Sequence, residues 1–187
     1  MDTLPQSTLT TPSSDSIASD KDPAQDQDSL IRVWVAGTCE PSECGGWAFI
    51  AQRYVADRIV EGGVEKSGSP THAATQPAMM MQAIIEALKH ISRSEASPIY
   101  IYTALDWIID AMCGDLQRWE ANGWKTNKGK DIKNPDLWKE IRNLSANRDI
   151  KWERRAGHES NPQNKRVKEL AEKAKVNGRV AFFSAQA

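Results

Sequence analysis

Residues 118–141 read RWEANGWKTNKGKDIKNPDLWKEI, a segment rich in Lys that also carries Trp119, Trp124 and Trp138. Three large rings are out of place in a linker, and so many ammonium groups are out of place in a core. With its flanks it reads as a Trp- and Lys-rich helical region over 107–146. It is preceded by PIYIYTA at 98–104, a short β-branched and aromatic strand that runs straight into LDWIIDAM, whose apolar spacing is helical. The next strand falls at DIKWERR, 149–155. Strand, helical crossover and strand make a βαβ unit, whose two strands are parallel.

Working outward, IRVWVAG at 31–37 alternates, with Ile31, Val33 and Val35 on one face and Arg32 and Trp34 on the other. After the turn TCEPSECGG, residues 47–54 and 58–65 give two more strands, broken at Ala56-Asp57, the second running through Gly62-Gly63. Residues 76–92 change period: Met80, Ile84, Ile85, Leu88 and Ile91 share a helical face, and Pro77 suits a first turn. A last helix runs from Pro162 to Val176, and 177–187 reads as a loosely held tail. The order β-β-β-α-β-α…β-α predicts an α/β domain over 31–176. Its mixed sheet has five strands, three antiparallel and then two parallel, with helices on both faces.

With 187 residues, 40% of them hydrophobic and 26% charged, the chain has room for one domain with a full core, and no run approaches a membrane span. The net charge of −1 hides a split. Residues 1–30 hold six Asp against one Lys, a balance of −5, among Ser, Thr, Pro and Gln, and read as a disordered acidic leader. From 148 onward ten Lys and Arg face five Asp and Glu, a balance of +5. Cys39, Cys44 and Cys113 make an odd number, and the leader lacks the basic start and apolar run of a secretory signal, so the expected compartment is the cytoplasm. Without suitably spaced His, Cys39 and Cys44 read as idle thiols rather than zinc ligands.

Over 118–141, the positions of Trp119, Gly123, Trp124, Lys125, Thr126, Asn134, Asp136, Leu137 and Trp138 resemble the basic handle of bacterial type 1 ribonuclease H. IKWERRAGHESNPQNKRVKELA at 150–171 is similar to that family's last strand, mobile His loop and final helix. The resemblance runs from about residue 31 to 175. It implies a ribonuclease H-like fold and, in the family, cleavage of RNA in an RNA/DNA hybrid by two magnesium ions held on four acids, in the order Asp, Glu, Asp, Asp.

Carried over position by position, the resemblance puts Ala36 (in VWVAGTC), Met79, Ala104 (in IYTALDW) and Lys168 (in RVKELA) where those acids belong. Magnesium prefers carboxylate oxygen, which none of the four supplies, so no cofactor is expected and the chain reads as a catalytically inactive member. His158 matches the loop histidine and is read as a remnant. Displaced acids are the remaining route to a metal. Glu86 is two turns from Met79, Asp106 opens a helix, and Glu169 is rotated about 100° from Lys168; Glu40 and Glu43 lie in a turn whose path the sequence leaves open.

Three functions stay open. The first is binding of an RNA/DNA hybrid or other duplex without cutting, through Trp119, Trp124, Lys125, Thr126, Lys128, Lys130, Lys133, Arg154 and Arg155, with Gln76 facing a minor groove. Against it stands the reading that the Trp pack within the handle and the Lys are a solvated face. In family members a pair of Asn precedes the Glu; here it is Thr75-Gln76, and the turn Asn is replaced near Ser42. The second is a protein-interaction or regulatory scaffold, and the third a nuclease with displaced carboxylates.

Overall fold

A computed structural model describes residues 29–40, 44–60, 62–70, 75–154 and 161–184. The expected leader, apart from Ser29 and Leu30, lies outside them, as do Ser42, Glu43, Arg155 and His158.

The sheet is built outward from β1 (Ser29–Cys39), whose alternation gives it two usable faces. β2 (Gly45–Val55) pairs with it antiparallel, from Ser29 opposite Val55 to Cys39 opposite Gly45. A two-residue turn at Ala56 and Asp57, both with positive φ (47° and 60°), then reverses the chain. That geometry matches the strand twist and makes a tight hairpin. The expected third strand is two: β3 (Arg58–Ile59) and β4 (Val64–Gly68), each antiparallel to β2. The sheet therefore has six strands rather than five. Gly62-Gly63 interrupts the ladder instead of running through it, since glycine weakens a strand interior. β5 (Ile99–Thr103) lies parallel to β1, and β6 (Ile150–Arg154) parallel to β5.

Helix α1 (Gln76–His90) is capped by Thr75, whose Oγ1 accepts the Ala78 N–H at 3.3 Å. Its apolar stripe, with Ile84, Ile85 and Leu88 fully buried, covers the β1 face formed by Ile31, Val33 and Val35. The other face of β1 presents Trp34 and Ala36 to α5 (Pro162–Ser184), which seals them with Val167 and Ala171. Helices thus lie on both faces, as the alternation implies.

Two other expectations are revised. The helical region 107–146 is divided into α2 (Asp106–Asp110), a π-helical turn (Ala111–Asp115) and α3 (Leu116–Ala121), then a loop, then α4 (Pro135–Ser145). The loop leaves the helix through positive φ at Gly123 (64°) and Trp124 (62°), and closes on a bridge between Lys125 and Asp131. Residues 177–184 continue α5 rather than forming a tail. That extension is held from a distance: Arg179 reaches Glu40 at 3.5 Å, and Gly178 approaches Ser69 so closely that a Cβ would collide with its side chain.

Cys44 is buried, Cys39 half-buried and Cys113 exposed, all as free thiols; burial raises the pKa of Cys39.

Candidate functional site

The four positions that the resemblance assigns to acids converge at one end of the sheet. Trp34 of β1 lies beside Tyr102 of β5 in the last pair of that parallel ladder, and Ala36 and Ala104 each follow two residues later, at the same end of the two strands. Next in β1, Gly37 lets the head of α1 settle on the strand. A Cβ there would fall 2.6 Å from the Met79 carbonyl carbon. From the opposite face, Val167 and Ala171 pack around Ala36, and the Thr38 hydroxyl donates to Glu172 Oε1 at 2.5 Å. Lys168 sits on α5 one turn before Glu172, so the helix phase directs the same face toward the end of β1.

These side chains offer no oxygen donor. Ala36 and Met79 are each 4% exposed, the first among apolar side chains and the second at the floor of a cleft. Ala104 and Lys168 are exposed at the rim. Two methyls, a thioether and an ammonium do not fit magnesium, which binds oxygen. Among the described residues, no group of three or more His, Cys, Asp or Glu is placed to hold a metal ion.

The displaced acids are engaged elsewhere. Glu40 meets Lys175 at 2.9 Å and Arg179 at 3.5 Å, Asp106 meets Arg154 at 2.9 Å, and Glu86 accepts from Gln82 at 3.0 Å and from Lys89 at 3.4 Å. Glu169 is exposed, one step round the helix from Lys168. The carboxylate held at the end of β1 is one the sequence reading did not flag, Glu172. Lys175, at 2.8 Å, and then the Thr38 hydroxyl hold it below the usual carboxylate range; Glu172 and Glu40 in turn raise Lys175. Its only sequence signal was its place four residues after Lys168.

The handle is held by its aromatic rings. Trp138 is 2% exposed and takes Trp107 and Trp119 edge-on, at 5.7 and 5.5 Å between centroids. Trp124 is half-buried, with Lys139 Nζ 5.6 Å from its ring centroid. Thr126 works in the turn: its Oγ1 accepts the Lys130 N–H at 3.1 Å. Lys125 pairs with Asp131 at 3.7 Å; Lys128, Lys130 and Lys133 are exposed without an ion-pair partner among the described residues. Gln76 is exposed in the first turn of α1.

Between the head of α1 and the handle lies an open cleft of about 800 Å³, lined by Pro77, Trp107, Trp119, Lys130 and Lys133. Its neighbour, about 620 Å³, holds Met79 and Trp47, and both include Thr75 and Asn134. The groove therefore leads from the basic handle toward the converged positions. Trp107, 39% exposed, lines that groove; the sequence reading placed it at the start of the helical region and did not count it among the binding residues.

Comparison with known proteins agrees with this architecture. The family profile RNase H matches residues 29–176. A Zymomonas mobilis ribonuclease H is 30% identical over 151 residues, covering 80% of this chain and 91% of the relative; one from Chlorobium phaeobacteroides is 34% identical over 152 residues, covering 80% and 97%. Among solved structures, LC9-RNase H1, described as a type 1 RNase H with the type 2 active-site motif, superposes with a TM-score of 0.67 at 24% identity, covering 80% of this chain and 73% of that one. LC11-RNase H1 in complex with RNA/DNA hybrid gives 0.57 at 14% identity, covering 79% and 97%. A profile that matches residues 29–176 and relatives at this identity and coverage lead to one conclusion: the chain belongs to the RNase H family.

Proposed function

We propose that this domain binds an RNA/DNA hybrid, or another nucleic-acid duplex, without cutting it. The binding half rests on the groove between α1 and the handle, where Lys130 and Lys133 flank Trp107 and Trp119. Ammonium groups meet backbone phosphates, and a half-exposed ring offers a face to a sugar or base. It rests also on kinship with proteins named ribonuclease H, and on likeness of fold to LC11-RNase H1, which is solved in complex with RNA/DNA hybrid.

One observation carries the non-cutting half: Ala36, Met79, Ala104 and Lys168, the residues that the resemblance matches to the family's acids, carry no carboxylate. Two-metal hydrolysis needs paired divalent ions to activate the water and to stabilise the leaving oxygen. No step through those ions can be derived for this donor set. An ammonium at the fourth position would repel them as well.

The test is to incubate purified protein with labelled hybrid, duplex RNA and duplex DNA, in EDTA, magnesium or manganese, and to score retention and cleavage separately. Retention of hybrid with no cleavage in any metal is expected. Cleavage in either metal overturns the non-cutting half. Absence of retention for all three duplexes overturns the binding half and leaves a protein-interaction scaffold.

A further inference from the structure

At the converged end of the sheet, an arrangement that in the family collects cations is occupied by one. The carboxylates around it are committed: Glu172 to Thr38 and Lys175, Glu40 to Lys175 and Arg179, and Asp106 to Arg154. Lys168 is exposed and has no ion-pair partner among the described residues. It shares a helix face with two anchored neighbours. One turn earlier Asn164 is 7% exposed, with its Oδ1 buried and unbonded, and one turn later Glu172 is tied to Thr38. A lysine stem rooted between these two spans about 6 Å, on the helix face that meets the end of β1 at Thr38.

A second cation stands on the other side. Arg154 ends β6 in register with Thr103, beside Ala104, and is 71% exposed. Its partner Asp106 is 50% exposed, and a pair this open is weak enough to exchange for a stronger anion. The carboxylates on this end of the sheet are each already paired with a cation or a hydroxyl, which leaves the charge of Lys168 uncompensated among the described residues.

From this juxtaposition we infer that Lys168 does the electrostatic work of a metal ion: it binds a backbone phosphate of the duplex at the strand ends, assisted by Arg154 and without any divalent cation. This inference rests on the binding function proposed above. A phosphodiester of a polymer is favoured over a free anion because Lys130 and Lys133 line a separate basic cleft at the handle, and only a strand longer than one nucleotide engages both places. Lysine suits the role as a compact charge that needs no planar partner.

Fluorescence anisotropy with a labelled RNA/DNA hybrid tests it, over a salt series in EDTA and in magnesium. The proteins are wild type, Lys168→Met, Lys168→Asp and, as a control, Lys173→Met, which removes an exposed charge elsewhere on α5. Wild type should bind at least as tightly in EDTA as in magnesium. Lys168→Met should weaken binding about tenfold at low salt, the value of one charge-assisted contact, and lower the slope of log K against log salt by about 0.9. Lys168→Asp should bind more weakly still, and Lys173→Met should match wild type. Lys168 is solvent-exposed, so all four proteins should give the same thermal melt. Wild-type binding with Lys168→Met unchanged in affinity and slope overturns this inference alone, as does wild-type binding that requires magnesium. No wild-type binding in any buffer overturns the proposed function and the inference together.

Discussion

Restoring the four acids, Ala36→Asp, Met79→Glu, Ala104→Asp and Lys168→Asp, should destabilise the fold and make it dependent on magnesium. Ala36 and Ala104 follow the last paired residues of two parallel strands, and carboxylates at about the strand spacing of 5 Å would repel by about 3 kcal/mol at an effective dielectric near 20. Met79 is 4% exposed, and an ionised group in its place loses hydration while giving up an apolar contact. Removal of Lys168 takes away a positive charge that would offset these carboxylates. The set should cost about 6 kcal/mol, or more than about 10 °C in melting temperature for a domain of this size. Calorimetry at pH 8 in EDTA measures it. The introduced acids resist ionisation, so their folded pKa values lie above the unfolded ones. The penalty is then full at high pH and is relieved as pH falls through the folded values. Magnesium should restore most of the loss and should allow the variant, unlike the wild type, to cut a labelled hybrid. A melting temperature within about 2 °C of wild type in EDTA, with no response to magnesium, would refute the account of how these four positions converge.

Three further outcomes follow from the packing. Glu95 is half-buried, and that desolvation opposes its charge, but bonds from Arg53, at 2.5 Å, and from Ser97 outweigh it and hold its carboxyl down at about 2 against an ordinary 4.5. A depressed carboxyl stabilises above its unfolded pKa, so about 3 kcal/mol present at neutral pH should be lost as pH falls from 4.5 toward 2. Glu95→Gln should flatten that part of the urea-midpoint profile, and an unchanged profile would refute the assignment. Gly37→Ala should destabilise by about 1–3 kcal/mol, because the new Cβ meets the α1 backbone at Met79 and Met80 and must drive the helix off the strand; equilibrium unfolding reads it. Trp138→Ala should cost about 3–5 kcal/mol and free Trp107 and Trp119 together, seen as a red shift of tryptophan fluorescence.

The sequence by itself determined the element order, the alternation that gives β1 two buried faces, and the four non-acidic positions. Each of these is written in local periodicity, or in spacing along a few consecutive residues. It read the strand after Asp57 as continuous, although β-branched and polar residues flank a Gly pair at which the ladder is interrupted. Only the tertiary structure decided where the charges point. Glu40 looked available for a metal because nothing near it in the chain neutralises it; its partners Lys175 and Arg179 arrive from a helix more than a hundred residues later. The same distant contacts carry α5 on to Ser184, where composition alone suggested a tail. Trp119 and Trp124, offered by the sequence as binding surfaces or as packing, are half-buried in the handle, and Trp107 holds the exposed place in the groove. Periodicity reports which face of an element is apolar; which partner that face meets is set by loop closure and long-range packing, to which a single strand or helix contributes only one side.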